Sequence, residues 1–120
     1  MLTYDITCKS SFHNVENRLN EIKEFIKENT PIALVGWKGD LFDRREITRE
    51  EGEDFANRHN LLFYETSAKE GININECFED FTNIVIQVID NKNKNIEITL
   101  RKKRIPKSGC LKWLIIFISL

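Results

Sequence analysis

Ile32-Ala33-Leu34-Val35-Gly36-Trp37-Lys38-Gly39-Asp40 decides how this chain is read. Its first five residues are continuously apolar, as expected of a parallel strand covered on both faces. The run then breaks into a polar loop, so a lysine and a carboxylate follow the strand's carboxyl end. Upstream, Val15, Leu19, Ile22 and Ile26 recur at spacings of 4, 3 and 4. That period predicts a helix with one buried stripe, ended by Asn29-Thr30-Pro31. Residues 1–7 form a short extended segment before it. Downstream, Thr48 with Glu51 is a capping-box signature for a helix that buries Phe55 and Ala56 and ends near His59-Asn60. Leu61-Leu62-Phe63-Tyr64 is the third strand. Asn73 with Glu76 repeats the capping pattern, and Cys77, Phe78, Phe81, Ile84, Val85, Val88 and Ile89 then trace a core-facing helical stripe. Three parallel strands alternating with three helices make an α/β layer.

Composition bounds the reading. A chain of 120 residues holds one domain of ordinary size. Net charge is −1, but residues 101–120 carry Arg101, Lys102, Lys103, Arg104, Lys107 and Lys112 without an acid. The first hundred residues are therefore acidic, at −7 once that +6 is set aside. Such a body is a poor nucleic-acid binder, whereas the tail suits an anionic surface. Cys8, Cys77 and Cys110 are scattered and lack metal-ligand spacing, which points to reduced thiols in a cytoplasmic setting. No basic region followed by an apolar stretch opens the chain, so no signal peptide is expected. The apolar run 111–120 has about half of the ~20 residues a membrane-spanning helix needs.

Ligands of open parallel sheets bind beyond the carboxyl ends of the strands. Two loops qualify: Gly36-Trp37-Lys38-Gly39-Asp40 and Glu65-Thr66-Ser67-Ala68-Lys69. Together with Tyr4-Asp5-Ile6-Thr7, Ser11-Phe12 and Arg45-Glu46, they resemble the C-terminal half of a Rab-type small GTPase of the Ras superfamily, over about residues 3–90. The second loop reproduces the family's guanine-specificity segment. The first departs from Asn-Lys-x-Asp, because Trp37 stands where Asn is expected.

The resemblance implies a partial Ras-like P-loop NTPase fold, with residues 1–91 as its guanine-recognition half and 92–120 as a basic, then apolar tail, irregular or helical. It implies a guanine nucleotide, GTP or GDP, as ligand and a relation to vesicle-traffic switches. Guanine offers two adjacent donors that one carboxylate accepts together, and adenine does not. Asp40 would fill that role. Ala68 would donate its main-chain N–H to the guanine carbonyl oxygen, with Ser67 in the same segment. Lys38 and Lys69 would lay their aliphatic stems against base and sugar. Indole has one donor and no acceptor, so Trp37 would forfeit the family's Asn contact at a cost of about 1–3 kcal/mol.

The string G-x-x-x-x-G-K-[ST], which supplies phosphate-holding amides, a lysine and a Mg²⁺-ligating hydroxyl, does not occur here. Neither do the family's switch segments. The expectation is a chain that keeps base recognition without Mg²⁺ binding or catalytic residues, and whose first strand has an open edge available to a protein partner. His13 and His59 read as capping or surface residues. Cys110 follows the basic cluster, but ten residues lie beyond it, so neither terminal prenylation pattern is met. Weak peripheral attachment to intracellular membranes through the tail is the further expectation. Little fixed structure is expected after Asp90.

Overall fold

A computed structural model describes residues 1–103. Expectations for residues 104–120, including Cys110 and the apolar run 111–120, lie outside the described residues. The elements are β1 (Leu2–Asp5), α1 (Lys9–Phe25), β2 (Ala33–Trp37), a 3-10 turn (Phe42–Arg44), α2 (Arg49–His59), β3 (Leu62–Glu65) and α3 (Ile74–Lys103). All strands are parallel, in the order β1-β2-β3.

The unbroken apolar run owes its pattern to this central position. Leu34 enters a cluster with Leu2, Tyr4, Ile6, Val15, Leu19, Ile47, Phe55 and Ala56, which joins α1 and α2 to one face. Ala33 and Val35 point the other way, onto Cys77 and the partly buried Phe81 of α3. With both faces covered, no polar residue is tolerated between them. Burying Leu34 or Leu19 fully contributes roughly 1.5–3 kcal/mol each.

The local signals differ in reliability. The Thr48–Glu51 capping box forms in both directions, at 3.1 and 2.7 Å, and left-handed Asn60 ends α2. Asn73 behaves otherwise. Its φ is 55°, and its amide donates to the Glu65 carbonyl at 3.0 Å instead of capping α3. Helix α1 starts at Lys9, ahead of the apolar stripe, because the turn that closes β1 feeds directly into it.

Two expectations for α3 are corrected. The helix continues past Asp90 to Lys103, since its polar stretch contains no proline or glycine to break it. Its apolar stripe is core only at the start. Cys77 is buried and Phe81, Ile84, Val85, Val88 and Ile89 are only half-buried, while Phe78 beside Cys77 is 45% exposed. The helix also outruns the sheet: strands of four or five residues reach about 17 Å, while 30 helical residues reach about 45 Å.

The outer edge of β1 is blunter than a bare strand. Ile6 donates its N–H to the Trp37 carbonyl, so by alternation Leu2, Tyr4 and Ile6 face β2, and Thr3 and Asp5 face outward. Asp5 is already engaged there. Its N–H donates to Ser11 Oγ at 3.0 Å, and its carbonyl accepts from the Cys8 amide at 3.0 Å.

Tyr4 is a local inconsistency. Its hydroxyl is buried with no hydrogen-bond partner, and burial pushes its pKa far above the usual tyrosine range, with the Glu65 charge adding to the effect. Gly36 and Gly52 make room for it. A Cβ on Gly36 would sit 2.9 Å from the hydroxyl, and one on Gly52 would collide with it and with the Phe63 ring. Tyr4→Phe is therefore expected to stabilise the fold by about 1 kcal/mol, read as a higher urea midpoint. Gly52→Ala should lower that midpoint, through a loss of about 1–3 kcal/mol of stability.

Candidate functional site

The sheet brings the two sequence-predicted loops side by side at its carboxyl end. Parallel pairing runs on past the strands: the Thr66 amide donates to the Gly36 carbonyl at 2.8 Å, and the Gly39 amide donates to the Thr66 carbonyl at 2.9 Å. Gly39 permits this approach, because a Cβ there would lie 3.2 Å from the Thr66 oxygen. The buried Ser67 hydroxyl then reaches Asp40 Oδ1 at 2.5 Å.

Ser67 is closed on its other sides. Its main chain exchanges two hydrogen bonds with Ile72, each 3.0 Å, and its hydroxyl accepts from the Glu70 amide at 3.2 Å. Gly71, at φ 67°, turns the chain between them. The polar main-chain groups around Ser67 are thus engaged, whereas the next residue, Ala68, is exposed and makes none of these bonds. Among the described residues, no side chain hydrogen-bonds to Asp40 Oδ2. The paired loops therefore carry a carboxylate oxygen without a side-chain partner and, directly after the residue that holds that carboxylate, an exposed residue, Ala68.

The lysines differ. Lys38 has a positive φ of 64° and holds Asp5 Oδ2 at 2.6 Å, with its ammonium 5.6 Å from the Trp37 ring centroid. Asp5 is fixed in turn by the Thr7 amide at 2.9 Å and the Thr7 hydroxyl at 2.7 Å. Burial raises its pKa, but bonds from Lys38 and Thr7 outweigh that and hold it below the usual range. Lys69 is exposed and only 3.8 Å from Glu70 Oε1, an ion pair worth little. Trp37 is 39% exposed and, with Thr3, Tyr4, Asp5, Cys8 and Ser11, lines a cavity of about 210 Å³.

Sequence reasoning assigned no side-chain role to Arg45 or Asp5, and gave Asn73 only that of a helix cap. Arg45 forms a fork to Glu65 at 2.7 and 3.0 Å and also donates to the Ile47 carbonyl at 3.0 Å. The partners are 20 positions apart, and no local pattern pairs them.

Comparison with known proteins settles the family. The family model described as "Ras family" matches residues 1–99. The chain belongs to the Ras family. Similar proteins include the Ras-related protein RABA1h of Arabidopsis thaliana, 42% identical over 92 residues, which cover 77% of this chain and 42% of that protein. The Ras-like protein rasU of Dictyostelium discoideum is 44% identical over 78 residues, covering 65% of this chain and 37% of that protein. The matched region thus spans about two fifths of these relatives' length. The parallel α/β sheet is the arrangement expected for that part of a Ras-like fold.

A Ras-family chain implies a guanine nucleotide, and the site fits its two ends unequally. The base end fits the donor set: an oriented carboxylate and an exposed amide. The phosphate end does not, because the 120 residues contain no phosphate-loop string. No group of three or more His, Cys, Asp or Glu gathers among the described residues to hold a metal. No described helix is long and apolar enough to cross a membrane.

Asp40's carboxyl titrates below the usual range because the Ser67 hydroxyl bonds its charged form. A lowered native pKa stabilises the fold above the ordinary carboxylate range and is lost as pH falls through the native value. Carboxyl-carbon NMR titration should therefore find Asp40 depressed in the wild type. In Ser67→Ala its midpoint should rise toward an ordinary aspartate's.

Proposed function

We propose that this chain recognises the guanine base of GDP and GTP, as a Rab-type relative of vesicle-traffic switches, and that these 120 residues alone do not hydrolyse GTP. One observation carries the reading: Ser67, beside Ala68 in the second loop, holds one oxygen of Asp40 in the first, and no described side chain hydrogen-bonds the other. In this reading Asp40 accepts the ring N1–H and the exocyclic amine of guanine, and the Ala68 amide donates to its carbonyl oxygen. Lys69 covers base and sugar with its stem, and Lys38 does so from its station beside Asp5.

Binding is weak for two reasons. Trp37 replaces an amide that would hydrogen-bond the base, a loss of roughly 5- to 150-fold. The 120 residues also contain no phosphate-loop string, the source of the oriented amides and lysine that offset charge in phosphoryl transfer. Cytoplasmic placement with peripheral membrane attachment through the basic tail belongs to the same proposal.

The alternative, an interaction fragment that docks through its sheet edge, has less support. Ser11 and Cys8 already occupy Asp5's outward amide and carbonyl.

Titration of the full chain with fluorescent GDP tests the reading. Wild type should bind, and Asp40→Ala should weaken binding by on the order of tenfold or more, with ADP bound poorly by both. Equal affinity of the two variants for GDP, or magnesium-dependent turnover by the wild type, would refute it.

A further inference from the structure

We propose that Arg45 is the positioning residue of the base-recognition loop, acting through Glu65; the inference rests on the guanine reading and deepens it. Arg45 and Glu65 are 19% and 9% exposed at their side chains, and the guanidinium meets both carboxylate oxygens at once. A buried fork of this kind fixes direction as well as distance, and a lysine cannot reproduce it.

Glu65 is the residue through which the loop can be steered. It ends β3, directly before Thr66 and Ser67. Its carboxylate is held by Arg45, and its carbonyl accepts the Asn73 amide. The main-chain direction entering Thr66 is thereby set from two sides. Thr66 then bonds Gly36 and Gly39, and Ser67 bonds Asp40.

Arg45 can impose this because its own position is pinned. The Glu46 and Ile47 amides both donate to the Ile6 carbonyl, at 2.8 and 3.1 Å. Glu46 Oε2 accepts the Lys9 amide at 2.9 Å, and the Ile47 side chain is buried in the α1–α2 cluster. A continuous path thus runs from the core through Ile47, Arg45 and Glu65, along the main chain of Thr66 to Ser67, and on to Asp40. Removing the guanidinium leaves a largely buried carboxylate without its partner, and the strain falls on the loop that Glu65 introduces.

Arg45→Met and Arg45→Lys in the full chain test the role with two readouts. The first is amide hydrogen exchange by NMR. Exchange at Gly39, Thr66, Ser67 and Ile72 should rise at least about tenfold in Arg45→Met, the factor for one charge-assisted hydrogen bond. The Ile6 amide, bonded to Trp37, should keep its protection relative to global stability, and Arg45→Lys should fall between. The second is the affinity ratio of GDP to inosine diphosphate, which lacks the exocyclic amine. That ratio should drop toward one in Arg45→Met and recover partly in Arg45→Lys, whereas general destabilisation would weaken both ligands alike. Unchanged exchange, or a rise shared equally by Ile6, overturns the proposal. If wild type binds neither nucleotide, the guanine reading falls, and exchange alone decides whether Arg45 orders the loop.

Discussion

The bond from the Gly39 amide to the Thr66 carbonyl is the constraint on which the site depends. It extends the β2–β3 pairing beyond the last strand residues and forces two loops, 27 positions apart at Asp40 and Ser67, into one surface. A glycine eases the approach, since a Cβ at 39 would lie a tight 3.2 Å from the carbonyl oxygen. Around this bond the other contacts fall into order. Ser67 orients Asp40, Ile72 closes the second loop, and Arg45 anchors its first residue.

The site is held mainly by polar contacts, and its neighbours show the cost of supporting it. Arg45 and Glu65 are a largely buried ion pair, which stabilises less than apolar packing of equal volume but specifies direction. Asp5 serves two roles, capping one end of the β1 edge through its main chain and holding Lys38 through its carboxylate. The Tyr4 hydroxyl, wedged between Gly36 and Gly52, is the one described buried side-chain polar atom without a partner. The same glycine that lies opposite Tyr4 begins the first loop, so core packing and site geometry meet at Gly36.

Much of the architecture was legible in the sequence because its signals are local. The both-faces-apolar run of β2, the capping box of α2 and the periodic stripe of α1 depend on residues within a few positions of one another. Asn73 and α3 show where such reading fails. Asn73 has a cap-like spacing, yet a left-handed backbone turns its amide to Glu65. The α3 stripe has core periodicity, but periodicity does not reveal how long the opposing sheet is, and the helix outruns it.

From the sequence alone came the α/β order, the two loops and the residues Lys38, Asp40, Ser67, Ala68 and Lys69, because strand and turn preferences and a contiguous motif are properties of neighbours. Tertiary structure alone decided which partner each charge takes: Asp5 for Lys38, Glu65 for Arg45, Ser67 for Asp40. Those pairings join segments far apart along the chain, and a charge's partner is set by distance in space, which only the assembled sheet supplies.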